Sequence, residues 1–172
     1  MATKATKPAA KKATGSARTD PATKLLMADH KEVHAMFQQY KKLADADAEA
    51  SEREALATEI CHALTIHATI EEELFYPAAR EAEVDADLLD EAEVEHASAK
   101  ELIAQIEAMS HDDDLYDAKL TVLGEYIDHH VKEEEGELFP KCRKSDMDLE
   151  GIGEALATRK QALTAEMAEM AA

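Results

Sequence analysis

One eleven-residue pattern occurs twice in the chain, and this repeat limits the folds that the chain can adopt. Residues 67–77 read HATIEEELFYP and residues 130–140 read HVKEEEGELFP. Both stretches place a glutamate four residues after the histidine and a proline ten residues after it. An acidic residue and a histidine precede each stretch, as Asp29-His30 and as Glu95-His96. Because residues four apart share one face of an α-helix, the repeat predicts two related helical hairpins.

Apolar side chains recur at helical spacing from residue 20 onward, and the chain has only five glycines and four prolines. This pattern predicts an all-α fold, an up-down-up-down four-helix bundle with a C-terminal fifth helix. The fifth helix could pack on the bundle or on another subunit, so a monomer and a homodimer both stay open. The predicted divisions are residues 1–20 as a disordered basic tail, 21–143 as the bundle and 144–172 as a C-terminal amphipathic helix.

Several residues mark where the predicted helices begin and end. Asp20 followed by Pro21 is typical of the start of a first helix. Ser51 begins a capping-box pattern, which predicts that it caps the second helix. Pro77 and Pro140 predict the ends of the second and fourth helices, since proline lacks the backbone N–H that a helix interior uses.

The charge of the chain is distributed unevenly. The sequence has 38 acidic residues against 19 lysines and arginines, a formal charge of −19, which excludes a basic nucleic-acid-binding domain as its main part. Residues 1–20 differ, with four lysines and Arg18 against a single acid. We expect this tail to be solubilising or to fold back on the acidic domain, and weak contact with nucleic acid through the tail is the alternative.

Other features of the sequence bear on where the protein works. No apolar run approaches the roughly 18 residues that span a bilayer, and the N-terminus has no apolar signal region. Cys61 and Cys142 are too few and too far apart along the helices for a disulfide framework. These features predict a cytoplasmic protein that does not contact membranes.

Four histidines are predicted to lie at one level of the bundle. Two residues of an antiparallel hairpin share a level when they are equidistant from its turn. The midpoint of His30 and His67 lies near residue 48, that of His67 and His96 near 81, and that of His96 and His130 near 113. Each midpoint falls in a predicted turn, so each of the four helices contributes one histidine to one layer.

The same histidines are flanked by apolar residues at helical spacing, so each points toward the core, and Glu71 and Glu134 share their face. Six buried ionisable groups need a compensating charge, which metal cations supply. Imidazole with carboxylate suits Fe, Mn or Zn. Two six-coordinate ions have twelve coordination positions. Two bridging carboxylates, an oxo or hydroxo bridge and four imidazoles would fill ten of them and leave two open for a small ligand. The predicted metal ligands are His30, His67, Glu71, His96, His130 and Glu134.

Some neighbouring residues are expected to lie outside this ligand set. His34, one turn after His30, is either a fifth imidazole ligand or a flanking polar contact. Tyr126 is expected to pack in the core or to donate a hydrogen bond to a bound oxygen species. The residues predicted to lie on solvated faces are His62, Glu72, Glu73, His111, His129, Glu133 and Glu135. His129 or Glu133 could alternatively contact a metal ligand from outside the ligand set.

These motifs together resemble the hemerythrin-like (HHE cation-binding) domain family over residues 22–142. The resemblance rests on Asp29-His30, Glu95-His96 and the two repeats at 67–77 and 130–140. It implies a four-helix bundle with a non-haem di-iron centre, in which the four histidines are terminal ligands and the two glutamates bridge two iron ions. Members of the family bind oxygen, sense oxygen or iron, respond to peroxide or nitric oxide, or repair iron centres.

The sequence departs from the oxygen carriers of this family at Lys100, which stands one turn after His96 where the carriers have a second histidine. The ligand set looks more like that of bacterial stress-response members. Our leading hypothesis is a di-iron protein that binds or reduces dioxygen, hydrogen peroxide or nitric oxide in oxidative stress, with peroxide consumption as a possible activity. The alternatives are an iron-sensing, iron-homeostasis or iron-centre repair protein, and a structural bundle that binds a partner.

Overall fold

The computed structural model describes residues 20–170, so residues 1–19 of the tail predicted over residues 1–20 lie outside the described part. The described chain consists of helices joined by short turns and forms the predicted four-helix bundle with a fifth helix. Two of the bundle helices each consist of an α-helix, a π-helical turn and a short α-helix without a break. The segments are α1 (Pro21–Asp45), α2 (Ala50–Ile70), π1 (Glu71–Phe75), α3 (Tyr76–Glu81), α4 (Ala86–Glu107), α5 (Tyr116–Glu133), π2 (Glu134–Leu138), α6 (Phe139–Lys144) and α7 (Leu149–Met170).

The first helix begins as predicted and the second does not. The Asp20 carboxylate accepts a hydrogen bond from the Thr23 backbone N–H, and Pro21 occupies the first turn of α1. Ser51 does not cap α2, because the helix already starts at Ala50 after Glu49 and has no side-chain cap. The helical conformation therefore extends one residue beyond the predicted cap.

The two prolines do not end their helices, which corrects the sequence prediction. Pro77 lies in the first turn of α3 and Pro140 in the first turn of α6, each directly after a π-helical turn. The helices continue to Glu81 and Lys144. A π-helical turn changes the backbone pairing just before the proline, so the missing N–H and the ring are accommodated without a break.

The bundle core consists of two hydrophobic clusters. The tyrosine-side cluster includes Phe75, Tyr76 and Phe139, and the cavity-side cluster includes Val33 and Leu64. Residues of both clusters come from all four bundle helices, and the free cysteines Cys61 and Cys142 are buried in different clusters. The four histidines lie along the helices between the residues of the two clusters.

The fifth helix packs on the first hairpin of the same chain. Helix α7 contacts α1, α2 and π1. Gly153 permits the close approach, because a Cβ atom there would lie 2.8 Å from the backbone nitrogen of Ala22. Leu156 is fully buried at this contact, whereas Met170 is exposed. Across residues 20–170, no helix is both long and apolar enough to cross a membrane.

Candidate metal centre

The structure brings all six predicted ligands together in the interior of the bundle. Each of the four bundle helices contributes one imidazole, and the two carboxylates come from the first residues of π1 and π2. None of the six side chains has appreciable access to solvent. Their exposed fractions are 6% for His30, 7% for His67, 0% for Glu71, 4% for His96, 4% for His130 and 2% for Glu134.

The imidazoles form two pairs, one in each hairpin. The Nε2 atoms of His30 and His67 are 3.0 Å apart, and those of His96 and His130 are 3.1 Å apart. Two nitrogens bound at a right angle to one metal ion at about 2.1 Å are separated by about 3.0 Å. Each pair therefore has the spacing of two adjacent ligands of one ion.

Each buried carboxylate contacts one imidazole of each pair. Glu71 Oε2 lies 3.2 Å from Nε2 of His67 and 3.4 Å from Nε2 of His96. Glu134 Oε2 lies 3.5 Å from Nε2 of His130 and 3.3 Å from Nε2 of His30. This arrangement places both carboxylates between the two imidazole pairs, where they could bridge two cations.

A carboxylate lies at the outer nitrogen of every imidazole. Ionised carboxylates only accept hydrogen bonds, so each Nδ1 carries a proton, and each ring in its neutral form directs its Nε2 lone pair inward. Such partners fix the orientation of metal-binding imidazoles. The pairs are His30 with Glu135 at 2.9 Å, His67 with Asp29 at 3.4 Å, His96 with Glu72 at 2.9 Å and His130 with Glu95 at 2.8 Å.

These contacts correct the prediction for Glu72 and Glu135, which do not simply face solvent. Each follows a buried glutamate at the start of a π-helical turn. Glu72 accepts a hydrogen bond from His96 of α4, and Glu135 accepts one from His30 of α1. Glu73 does lie on the outer surface, where it pairs with Arg159 of α7. The π-helical turns thus allow two consecutive glutamates to serve the same centre, as such turns often do at functional sites.

Tyr76 is a centre residue that the sequence analysis missed. Its hydroxyl donates a hydrogen bond to Glu134 Oε1 at 2.8 Å and lies 3.2 Å from His96 Nε2. Burial and the neighbouring carboxylates of Glu71 and Glu134 raise the pKa of Tyr76 well above its usual value. The difference between FYP and LFP in the two repeats was the available signal, since it places a hydroxyl on one side only.

The centre is strongly charged when it holds no cation. Burial disfavours the imidazolium form of His67, but the carboxylates of Glu71 and Asp29 raise its pKa to about 10. Burial likewise disfavours an ionised Glu71, yet the imidazoles of His67 and His96 hold its pKa well below its usual range. A metal ion would have to displace protons held by these imidazoles, so its binding weakens as pH falls.

Two buried oxygen atoms provide a direct test of whether a metal fits. Within residues 20–170, Glu71 Oε1 and Glu134 Oε2 have no hydrogen-bond partner. Ion-pair partners of both carboxylates in this part of the chain are imidazoles alone. Unsatisfied buried carboxylate oxygens are costly, and metal cations relieve that cost. Two overlapping clusters, one of His30, His67, Glu71 and Glu134 and one of Glu71, His96 and His130, could each hold a metal ion.

Several other predicted residues lie outside the centre. His34 is half exposed and contacts Asp128 and Gln38, which agrees with a flanking polar contact. Tyr126 is 50% exposed, so it neither packs in the core nor reaches the centre, which corrects that prediction. Its position faces outward because Ile127 takes the inward position on that turn of α5.

The remaining residues of the predicted solvated faces are at least partly accessible. His129 is exposed, whereas His62, His111 and Glu133 are intermediate. His111 contacts Glu54 and Asp112, and His129 contacts Glu95 and Glu133. Only the His129 group adjoins the buried centre, through Glu95.

Comparison with known proteins agrees with this geometry. The sequence profile of the hemerythrin HHE cation-binding domain matches residues 22–142. The fold is similar to a crystal structure of a hemerythrin HHE cation-binding domain-containing protein from Mycobacterium kansasii, at a TM-score of 0.70 and 23% identity, over 86% of this chain and 89% of that one. Comparison with curated proteins finds no match. The matched residues include every histidine and glutamate of the centre, and the chain belongs to the hemerythrin HHE cation-binding domain family.

Proposed function

We propose that the chain is a non-haem di-iron protein that binds or reduces a small oxidant, dioxygen, hydrogen peroxide or nitric oxide, in the response to oxidative stress. The donor set supports iron, because imidazole and carboxylate together suit its divalent and trivalent ions. The placement of Glu71 and Glu134 between two imidazole pairs supports two ions rather than one.

The observation that carries the proposal is a small cavity beside all four imidazoles. It has a volume of about 30 Å³, enough for about two water-sized molecules. Its walls are mostly apolar, and the size excludes organic substrates. The apolar lining side chains are Val33, Leu64, Ala68, Ala99, Ile103, Ile127 and Val131.

The side chains around the cavity have separable roles in this proposal. The apolar walls exclude bulk water from the open side of the centre. Lys100 lines the cavity, while its ammonium is held at the Glu72 carboxylate at 2.7 and 2.5 Å. On the other side, the Tyr76 hydroxyl holds Glu134 in place. An iron pair, when bound, supplies the electrons for reduction of an oxidant.

Metal analysis and absorption spectroscopy test the proposal directly. Protein from iron-replete medium should contain about two irons per chain and absorb in the near ultraviolet. The absorption should bleach with dithionite and return with air, peroxide or nitric oxide. Slow return with a few cycles would favour a sensor, and many rapid cycles with peroxide would favour an enzyme. Zinc, a single metal or no metal, with a colourless protein inert to all three oxidants, would contradict the proposal.

A pair of variants tests the role of the cavity. Ala99→Val adds two methyl groups at the cavity wall, three residues after His96. Ala92→Val adds them in the tyrosine-side cluster, four residues before His96. Both should retain iron, but Ala99→Val should slow reoxidation by at least about tenfold because little free volume would remain. Equal reoxidation rates for the two variants would show that oxidants do not use this cavity.

A further inference from the structure

A second group of metal-binding side chains lies on the outer face of the second hairpin. His129 Nε2 is 3.4 Å from Glu95 Oε1 and 3.4 Å from Glu133 Oε1. The three donor atoms all lie within 4.8 Å of one another, and the His129 side chain is 63% exposed. His129 and Glu133 also repeat the four-residue spacing of both buried ligand pairs, His67 with Glu71 and His130 with Glu134.

The corresponding place on the first hairpin is filled by a lysine. Asp29 accepts from His67 Nδ1 through Oδ2, and its Oδ1 pairs with Lys160 of α7 at 2.6 Å. Glu95 is the counterpart of Asp29, because it accepts from His130 Nδ1 through Oε2. Ion-pair partners of Glu95 in the described chain are imidazoles, with no lysine or arginine among them. The second hairpin thus leaves open the position that a fixed cation takes on the first.

We propose that Glu95, His129 and Glu133 form an accessory site for a divalent cation that imidazole and carboxylate prefer, such as Zn²⁺, Fe²⁺ or Mn²⁺. Donors at about 2.1 Å from an ion in tetrahedral geometry are about 3.4 Å apart, which matches both contacts of His129. The group lines an open depression of about 450 Å³, which gives water access to the remaining coordination positions.

The accessory site captures cations for the buried centre. The buried ligands are at most 7% exposed, so an ion from solvent must pass the surrounding side chains to reach them. Glu95 belongs to both places, since one of its oxygens faces His129 and the other accepts a hydrogen bond from His130 at 2.8 Å. A cation at the surface site is therefore separated from a buried ligand by a single carboxylate.

His111 provides a matched control within the same chain. It also contacts two carboxylates, but Glu54 faces its Nδ1 at 3.3 Å and Asp112 faces its Nε2 at 3.3 Å. The two ring nitrogens point in different directions, so these carboxylates cannot share one ion with either nitrogen. Substitution of His111 therefore removes an accessible imidazole with acidic neighbours without removing a chelating group.

Calorimetric titration with Zn²⁺ tests the site in the full chain after the buried centre has been filled and loose metal removed. Wild type and His111→Ala should bind one further equivalent, whereas His129→Ala and Glu133→Gln should bind it at least about tenfold more weakly. The site is overturned if His129→Ala retains wild-type affinity, or if wild type binds no further equivalent. The comparison between variants holds whichever metal fills the buried centre.

Loading kinetics test the capture role separately. Metal-free protein mixed with Co²⁺ should develop the absorption of the buried centre several-fold more slowly in His129→Ala than in wild type or His111→Ala. The final amplitude should be equal in all three, because the buried ligands are unchanged. Equal loading rates would overturn the capture role while leaving the equilibrium titration to decide the site itself.

Discussion

The two hairpins carry the same repeat and the same set of buried histidines and glutamates, yet their outer surroundings differ. Helix α7 covers the first hairpin and places Lys160 on the carboxylate that supports His67. In the described chain no comparable helix packs on the outer face of the second hairpin. Glu95, the counterpart of Asp29 there, contacts His129 instead of a lysine. The repeat therefore accounts for the buried histidines and glutamates. The chain outside the repeat determines how far each hairpin is covered and which charged side chains contact its outer carboxylate.

A second difference lies inside the bundle. Tyr76 and Phe139 hold the same position in the two repeats, five residues after the buried glutamate. Tyr76 donates to Glu134, whereas Phe139 stacks against the His30 ring with centroids 5.9 Å apart. The Tyr76 hydroxyl lies 2.8 Å from Glu134 Oε1 and 3.5 Å from Glu71 Oε2, so Glu134 has the shorter contact with it. The two buried glutamates therefore differ in their contacts even though their backbones are related.

The largest expected effect comes from removal of one imidazole from either hairpin. His67→Ala and His130→Ala should each lower metal content. In metal-free protein each should lower the free energy of unfolding by about 3–5 kcal/mol, because a buried carboxylate loses one of its two imidazole partners. Denaturant unfolding in the presence of chelator measures this loss, and His62→Ala is the control. Similar losses of unfolding free energy in the two variants would show that the two hairpins contribute equally at the buried histidines. A loss in one variant alone would show that they do not.

Tyr76→Phe makes the first repeat match the second at this position. It leaves Glu134 Oε1 without its donor, so we expect a loss of about 1.5–3 kcal/mol. Equilibrium unfolding of the metal-free protein measures it. Phe139→Leu controls for general repacking of the same cluster. A loss below about 0.5 kcal/mol for Tyr76→Phe would mean that the hydroxyl does not distinguish the two buried glutamates.

Gly153→Ala tests whether α7 needs its close contact with the first hairpin. The added Cβ would lie 2.7 Å from Pro21 Cγ and 2.8 Å from the Ala22 nitrogen, so the helix must shift at a cost of about 1–3 kcal/mol. Gly136→Ala is the control, because its Cβ would meet nothing within 4 Å. Urea unfolding and the rate of proteolysis within α7 measure the effect. Unchanged proteolysis of Gly153→Ala would show that the contact is not limiting.

Lys160→Met tests the charge that α7 supplies. Burial disfavours the ionised form of Asp29, but its hydrogen bonds with His67 and Lys160 hold its pKa below the usual range. Loss of Lys160 should weaken metal binding by about tenfold, as for other changes to the partners of metal ligands. Competition with a chelator measures the affinity. Lys141→Met removes the exposed pair with Asp85 and should leave affinity unchanged.

The smallest expected effect concerns an ion pair between the two hairpins, in which Asp20 contacts Arg143 of α6 at 2.7 Å. Burial raises the pKa of Asp20, but the hydrogen bonds to Thr23 and Arg143 outweigh it and lower the pKa overall. A lowered pKa means stabilisation that is full above the unfolded value of about 3.9 and lost as pH falls through the folded value.

Asp20→Asn keeps a good helix cap but removes this charge. It should cost less than about 1 kcal/mol at pH 7, because the pair is partly exposed, and the difference from wild type should disappear at acidic pH. Unfolding measured between pH 7 and pH 2.5 tests this. A difference that persists at the lowest pH would mean that geometry at the cap, rather than charge, explains the effect.

The sequence allowed the helices, their order and the layer of six residues to be predicted, because helical spacing and turn midpoints constrain one another. It did not reveal the π-helical turns, since a change of one residue in backbone pairing leaves the apolar pattern almost unaltered. For that reason Pro77 and Pro140 were interpreted as helix ends, and Glu72 and Glu135 as solvated. The role of Tyr76 depends on a single hydroxyl, and periodicity does not distinguish tyrosine from phenylalanine.

The contact between Lys160 and Asp29 has a consequence for the order in which the protein is made. Helix α7 follows the whole bundle along the chain, yet it supplies the charge behind a histidine of the first hairpin. A nascent chain that has released only the four bundle helices therefore has all six predicted ligands but lacks the Lys160 contact behind Asp29 and His67. We therefore expect full metal affinity only after α7 has emerged and docked on the first hairpin.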